Sequence, residues 1–103
     1  MVYAKFYRSG GLFRGFDISG HAGYAESGKD VVCASVSSAV QFAVNILDEF
    51  DCKPEMNVEA NLISCWIGTS EKNANTIIEV FRKHLASILE EFPKTIKITI
   101  SEV

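Results

Sequence analysis

Asp30-Val31-Val32-Cys33-Ala34-Ser35-Val36-Ser37 is where the hydrophobic period of this chain changes, and the change decides the fold. From here on Val32, Val36, Ala39, Ala43, Ile46, Leu47 and Phe50 fall at steps of three and four residues, the spacing of one buried helical face. The spacing predicts a helix that starts after Asp30 and ends near Asp51, with Pro54 forbidding its continuation. Asp30 stands at the N-cap position, where a carboxylate accepts a hydrogen bond from an otherwise unpaired helix N–H. On that count Cys33 is the N3 residue, and Ser37 and Gln41 follow it at four-residue steps beside the apolar face.

On either side of this helix the pattern reads differently. Val2 to Tyr7 and Leu12 to Ile18 are strand-like and separated by Gly10-Gly11, a hairpin in which Leu12, Phe16 and Ile18 share one parity and Phe13 the other. Met56 to Ile67 alternates and predicts one long half-buried strand, with Met56, Val58, Ala60, Leu62 and Trp66 on one side. A second amphipathic helix carries Ala74, Ile77, Ile78, Phe81, Leu85, Ile88, Leu89 and Phe92 and stops at Pro93; Thr95 to Val103 alternates again. The order β-β-α-β-α-β predicts an α+β two-layer sandwich, two helices on one face of a four-stranded, largely antiparallel sheet, in a single domain over residues 1–103.

Composition narrows the function. With 48% hydrophobic residues in 103, the chain can bury one modest core without disulfides or a structural metal. The formal charge is −3 and no basic run exceeds Arg82-Lys83, so direct nucleic-acid binding is not expected. Lys5, Arg8 and Arg14 break any signal-peptide core, no unbroken apolar stretch approaches a membrane span, and the expected location is the cytoplasm. Cys33, Cys52 and Cys65, spaced by 19 and 13 residues, form neither a disulfide framework nor a zinc set, and no phosphate-binding glycine loop is present. No cofactor and no metal is expected. Cys52 and Cys65 read as structural, His84 as solvated, Met56 and the phenylalanines as core, and Trp66 as a core or rim aromatic.

Reactive residue types gather instead between Gly20 and Cys33. A cysteine thiol is a weak nucleophile at neutral pH, and a helix N-terminus and a neighbouring imidazole together bring its pKa from roughly 8.5 to ~3.5–7.5. Cys33 has the first feature by its expected position. His21, twelve residues earlier across a loop bearing Gly20, Gly23 and Gly28, can supply the second. Thiolate, imidazole and backbone donors are what cysteine nucleophilic catalysis requires. Asp30 either caps the helix or turns to His21 and orients its ring; Ser37 lies one turn below Cys33.

Gly20-His21-Ala22, followed by Gly28-x-Asp30-x-Val32-Cys33-Ala34-x-Val36-Ser37, resembles the signature of the ribosomal-processing cysteine protease family called Prp. Ser35 stands where alanine is common in that family. The resemblance implies that His21 and Cys33 are the catalytic pair, with Gly20, Asp30 and Ser37 at supporting positions. It also implies a substrate, the N-terminal extension of large-subunit ribosomal protein twenty-seven, cut after an aromatic-rich segment, and a homodimer with a mobile loop over the site. Tyr24 is a candidate to line a pocket for those aromatic side chains. The competing expectation is a non-catalytic protein-binding or assembly module of the ribosome; a thiol redox protein is disfavoured by the absence of C-x-x-C.

Overall fold

The structure, a computed structural model, describes residues 1–20, 27–69 and 71–103, and for residues 27–30 the backbone alone. Its elements are β1 (Val2–Ser9), β2 (Leu12–Ser19), α1 (Ser27–Glu49), β3 (Glu55–Glu59), β4 (Leu62–Trp66), α2 (Glu71–Glu91) and β5 (Ile96–Glu102). One sheet runs in the order β3-β4-β2-β1-β5, antiparallel except for the parallel β1–β5 pair. The expected α+β sandwich is found, with five strands in place of four. Gly10 and Gly11 close the first hairpin at φ 60° and 80°, the left-handed region that a tight two-residue turn requires.

The fifth strand comes from the segment expected as one long strand. Ala60 and Asn61 form a turn and Glu59 pairs with Leu62, so the segment folds back on itself. A two-residue turn reverses which parity faces which side. Met56 and Val58 therefore share the helix-side face with Ile63 and Cys65, while Leu62 and Trp66 lie on the opposite face with Glu55, Asn57 and Glu59. This corrects the placement of Met56 with the core, since it is 40% exposed; Trp66, 39% exposed, takes the rim position of its two readings. Cys65 is fully buried, as a structural cysteine should be.

A second irregularity sits in β2. Tyr7 faces Gly15 and Arg8 faces Phe13, so Arg14 is an extra residue, a β-bulge. The bulge turns Phe13 to the same side as Phe16, against the alternation, and both are buried. Phe81 from α2 completes the cluster, its ring centroid 4.8 Å from Phe16 and 5.7 Å from Phe6. The backbone groups released by the bulge are paired: the Phe13 N–H donates to Asn75 Oδ1 of α2 at 2.8 Å, and the Arg14 carbonyl accepts from the Ile67 N–H at 3.0 Å.

Both helices close the helix-side face. Val32, Val36, Ala39, Val40, Ala43 and Leu47 of α1 join the core, as do Ala74, Ile78, Phe81, Leu85 and Ile88 of α2. Phe42 and Phe50, by contrast, are 67% and 52% exposed, so the expectation of core phenylalanines fails at these two positions. The α1 sequence carries no charged residue from Val31 to Leu47, and Val31–Glu49 is long and apolar enough on average to cross a membrane. Here it is a half-buried core helix, and its outward face is uncharged.

On the open face of the sheet, Tyr7, Gly15 and Trp66 form one cross-strand row. The Tyr7 and Trp66 rings stack over the glycine with centroids 4.8 Å apart and planes at 25°. Tyr7 donates its hydroxyl hydrogen to Asp17 Oδ2 at 2.5 Å. That bond, with burial and the Asp17 charge, pushes its pKa up to about 12. A Cβ at Gly15 would lie 2.5 Å from the Cys65 carbonyl oxygen and 2.8 Å from the Trp66 ring. Gly15→Ala is therefore expected to lower unfolding stability by about 2 kcal/mol or more, measured by urea denaturation, and to shift Trp66 fluorescence as the stack opens.

Candidate active site

Of the three cysteines, Cys33 alone is only partly buried; Cys52 and Cys65 are inside the core. Burial pushes the Cys65 thiol up to about 11, and burial together with the neighbouring Asp51 charge raises that of Cys52. Both are held as thiols and are poor nucleophiles, in agreement with a structural role.

Cys33 borders a depression of about 240 Å³ between the N-terminal half of α1 and the β3–β4 hairpin. Val36, Ser37 and Val40 continue the α1 wall, and Val58, Glu59 and Leu62 stand on the hairpin wall. Ser37, a candidate from the sequence, is exposed and lines the same depression as Cys33. A larger groove of about 610 Å³ runs between α1 and α2 past Phe42, Val80 and the exposed His84, but it holds no thiol. The smaller depression is the one bordered by a thiol.

The expected helix start is corrected. α1 begins at Ser27, so Asp30 is a helical residue and not the N-cap, and Cys33 is the seventh residue of the helix and not its third. The favourable field of a helix N-terminus falls off within the first turn, so it is not the main source of thiolate character at Cys33. Its N–H also falls where the helical ladder pairs it with the carbonyl four residues back, which removes it as an oxyanion donor. Asp30 and Cys33 are three residues apart on one helix, adjacent along its surface. His21 and Tyr24 lie outside the described residues, as does the side chain of Asp30.

Gly20, which leads into His21, has a structural account. Its φ is 75°, and a Cβ there would stand 2.7 Å from Tyr3 Cδ2 and 2.9 Å from the Met1 carbonyl oxygen. Its N–H donates to the Asn61 carbonyl at 3.3 Å, tying the end of β2 to the hairpin turn. The hairpin residues are what the sequence reading missed. Asn61, a residue favoured in turns, was the available signal inside an otherwise unbroken alternation. Among the described residues no group of histidine, cysteine and carboxylate side chains is arranged to hold a metal ion.

The model of the family described as cysteine protease Prp matches residues 1–97. No curated protein matches the chain. Among solved structures, SMU.848 from Streptococcus mutans superposes with a TM-score of 0.85 at 24% identity, covering 100% of this chain and 96% of the other. The essential ribosomal processing protease Prp from S. aureus, in complex with a substrate peptide, gives 0.87 at 21% identity, covering 98% and 100%. The same S. aureus protease with a covalently linked product peptide gives 0.85 at 22% identity with the same coverage. These likenesses establish that the whole fold is shared.

Gly20→Ala would combine a left-handed backbone with contacts to Tyr3 and Met1. It is expected to cost about 2 kcal/mol in thermal or urea unfolding.

Proposed function

The chain belongs to the Prp family of cysteine proteases, and from that premise we propose that it removes the N-terminal extension of large-subunit ribosomal protein twenty-seven, with Cys33 as nucleophile and His21 as its acid and base. The observation that carries the assignment is the contrast among the thiols: Cys33 borders a depression open to a peptide, whereas Cys52 and Cys65 are enclosed and held protonated. That the S. aureus protease has been captured with a covalently linked product peptide supports a covalent step.

In this reading the Cys33 thiolate attacks the scissile carbonyl carbon, and the carbonyl oxygen takes the negative charge. His21 as imidazolium gives its proton to the leaving amine, the C–N bond breaks, and a thioester remains. The neutral imidazole then takes a proton from water, whose oxygen attacks the thioester and returns the thiolate. The oxyanion donors lie outside the ladder that takes up the Cys33 N–H. With the helix start displaced, His21 is the group left to stabilise the thiolate, and Asp30, one turn before Cys33, is assigned to orienting that ring instead of capping. Tyr24 is assigned to the aromatic residues before the cut, and the reaction to the cytoplasm, where thiols stay reduced.

A second copy of the chain is the proposed cover for the uncharged face of α1. Phe42 and, on the facing helix, Val80 (59% exposed) are exposed apolar side chains lining the α1–α2 groove, and Val31 (51%) is exposed nearer the start of α1. Phe42→Glu should shift the sedimentation coefficient to that of a monomer at micromolar protein; wild-type protein already monomeric would refute the dimer.

Cys33→Ala is expected to reduce cleavage of a peptide carrying the extension to background, with an unchanged cooperative melt. His21→Ala should lose at least a hundredfold in kcat while still binding the peptide. Product release by Cys33→Ala, followed by mass spectrometry, would refute the assignment.

A further inference from the structure

β3 has one edge without a partner strand. It pairs with β4, and among the described residues no strand pairs with its other side. The β2–β4 ladder fixes which backbone groups face that side. The Gly20 N–H reaches the Asn61 carbonyl, so Ser19 and Leu62 sit opposite one another without exchanging hydrogen bonds, and the Leu62 N–H and carbonyl point away from β2, to Glu59. Backbone direction alternates along a strand. β4 therefore takes up the N–H and carbonyl groups of Glu55, Asn57 and Glu59, and those of Met56 and Val58 face outward.

Such an edge is a template for another extended chain, and natural strands blunt it with proline, lysine or a bulge. Glu55–Glu59 contains none of the three, and its pairs with β4 run without a shift in register. The side chains of Met56 and Val58, 40% and 67% exposed, lie on the helix-side face of this edge, and Val58 also lines the Cys33 depression. The open backbone groups and the depression with the thiol are thus continuous through one residue.

We propose that the outer edge of β3 docks the substrate: an extended peptide adds to it as a further strand, its main chain hydrogen-bonded to Met56 and Val58, and continues into the Cys33 depression. The inference rests on that depression being the peptide site. Two peptide residues, two apart in its sequence, then set their side chains beside Met56 and Val58, which selects apolar ones there; the residue between them faces the other side of the sheet. Main-chain bonding supplies affinity with little regard to sequence, and the apolar pair supplies the choice.

The test uses the full chain with Cys33→Ala, so that binding is read apart from cleavage. A fluorescein-labelled peptide carrying the extension is N-methylated at one backbone amide at a time, and fluorescence anisotropy gives each Kd. Methylation is expected to weaken binding about tenfold at two amides two residues apart, each deprived of its bond to an outward carbonyl, and about threefold or less at the amide between them. Val58→Pro removes the outward N–H and leaves the β3–β4 bonds in place, since a proline is accepted where its position faces away from the neighbouring strand. With the cooperative urea melt retained, it should weaken binding of the unmethylated peptide about tenfold, and Val58→Ala, which keeps the N–H, about threefold or less. Should Val58→Pro fail to fold, the methylation scan on the unaltered edge decides alone. Sensitivity at adjacent amides or at none, no binding of any peptide, or a folded Val58→Pro that binds as tightly as its parent overturns the proposal. So does an edge taken by a second copy of the chain, seen as a dimer that Val58→Pro dissociates with peptide affinity unchanged. Failure of the protease assignment looks different: the wild-type chain would bind the peptide with the two-residue period intact and release no product.

Discussion

One inserted residue, Arg14, couples the two faces of the sheet to α2. Without it β2 would alternate strictly and Phe13 would face solvent, removing one of the rings that pack around Phe6. Burying a phenylalanine contributes about 1.5–3 kcal/mol, and the exposed ring would add an apolar patch on the other side. The bulge also takes the Phe13 N–H out of the ladder, a group that would cost about 1–3 kcal/mol if left unpaired inside. Asn75 answers it from α2, and the Arg14 guanidinium meets Glu71 at 2.8 Å one turn earlier on that helix. Position and rotation of α2 are thus specified by polar contacts at its start and by Phe81 at its middle. The adjacent residue is Gly15, which lets Trp66 lie flat against Tyr7 on the opposite face. The bulge and its glycine therefore organise both surfaces of the same strand.

The parts of this architecture that repeat with a period were legible in the sequence, and the parts that depend on a break in period were not. Val32, Val36, Ala39, Ala43 and Leu47 are buried as their spacing required, and Val40 joins them because the apolar stripe is broader than its central row. Ala74, Ile78, Phe81, Leu85 and Ile88 follow the same logic. The turn at Ala60-Asn61 escaped because two residues inserted into an alternating run leave the alternation looking intact, while reversing the face of everything after them. Trp66 and Cys65 exchanged sides for that reason alone. The start of α1 was misplaced because Asp30 carries a cap signal and Gly28 a helix-breaking one, yet Ser27 at the actual start is an equally good first-turn residue. Local signals of similar strength compete there, and spacing does not rank them.

These two departures bear directly on the site. Moving the helix start back four residues carries Cys33 out of reach of the terminal N–H groups, so the chemistry assigned to this thiol rests on the imidazole and not on the helix. Splitting the long strand creates the hairpin that faces Cys33 across the depression. The Gly20 N–H···Asn61 bond joins that hairpin to the residue from which His21 departs. The hairpin turn and the end of β2 thus share an anchor, while Cys33 sits on a helix held in the core by the neighbouring Val32 and Val36. Helix and hairpin are therefore the two walls of the depression that Cys33 borders. The Gly20 N–H, held by the Asn61 carbonyl, fixes the end of β2 against the turn of the hairpin that borders the Cys33 depression, so the strand end and the hairpin wall cannot shift independently of one another.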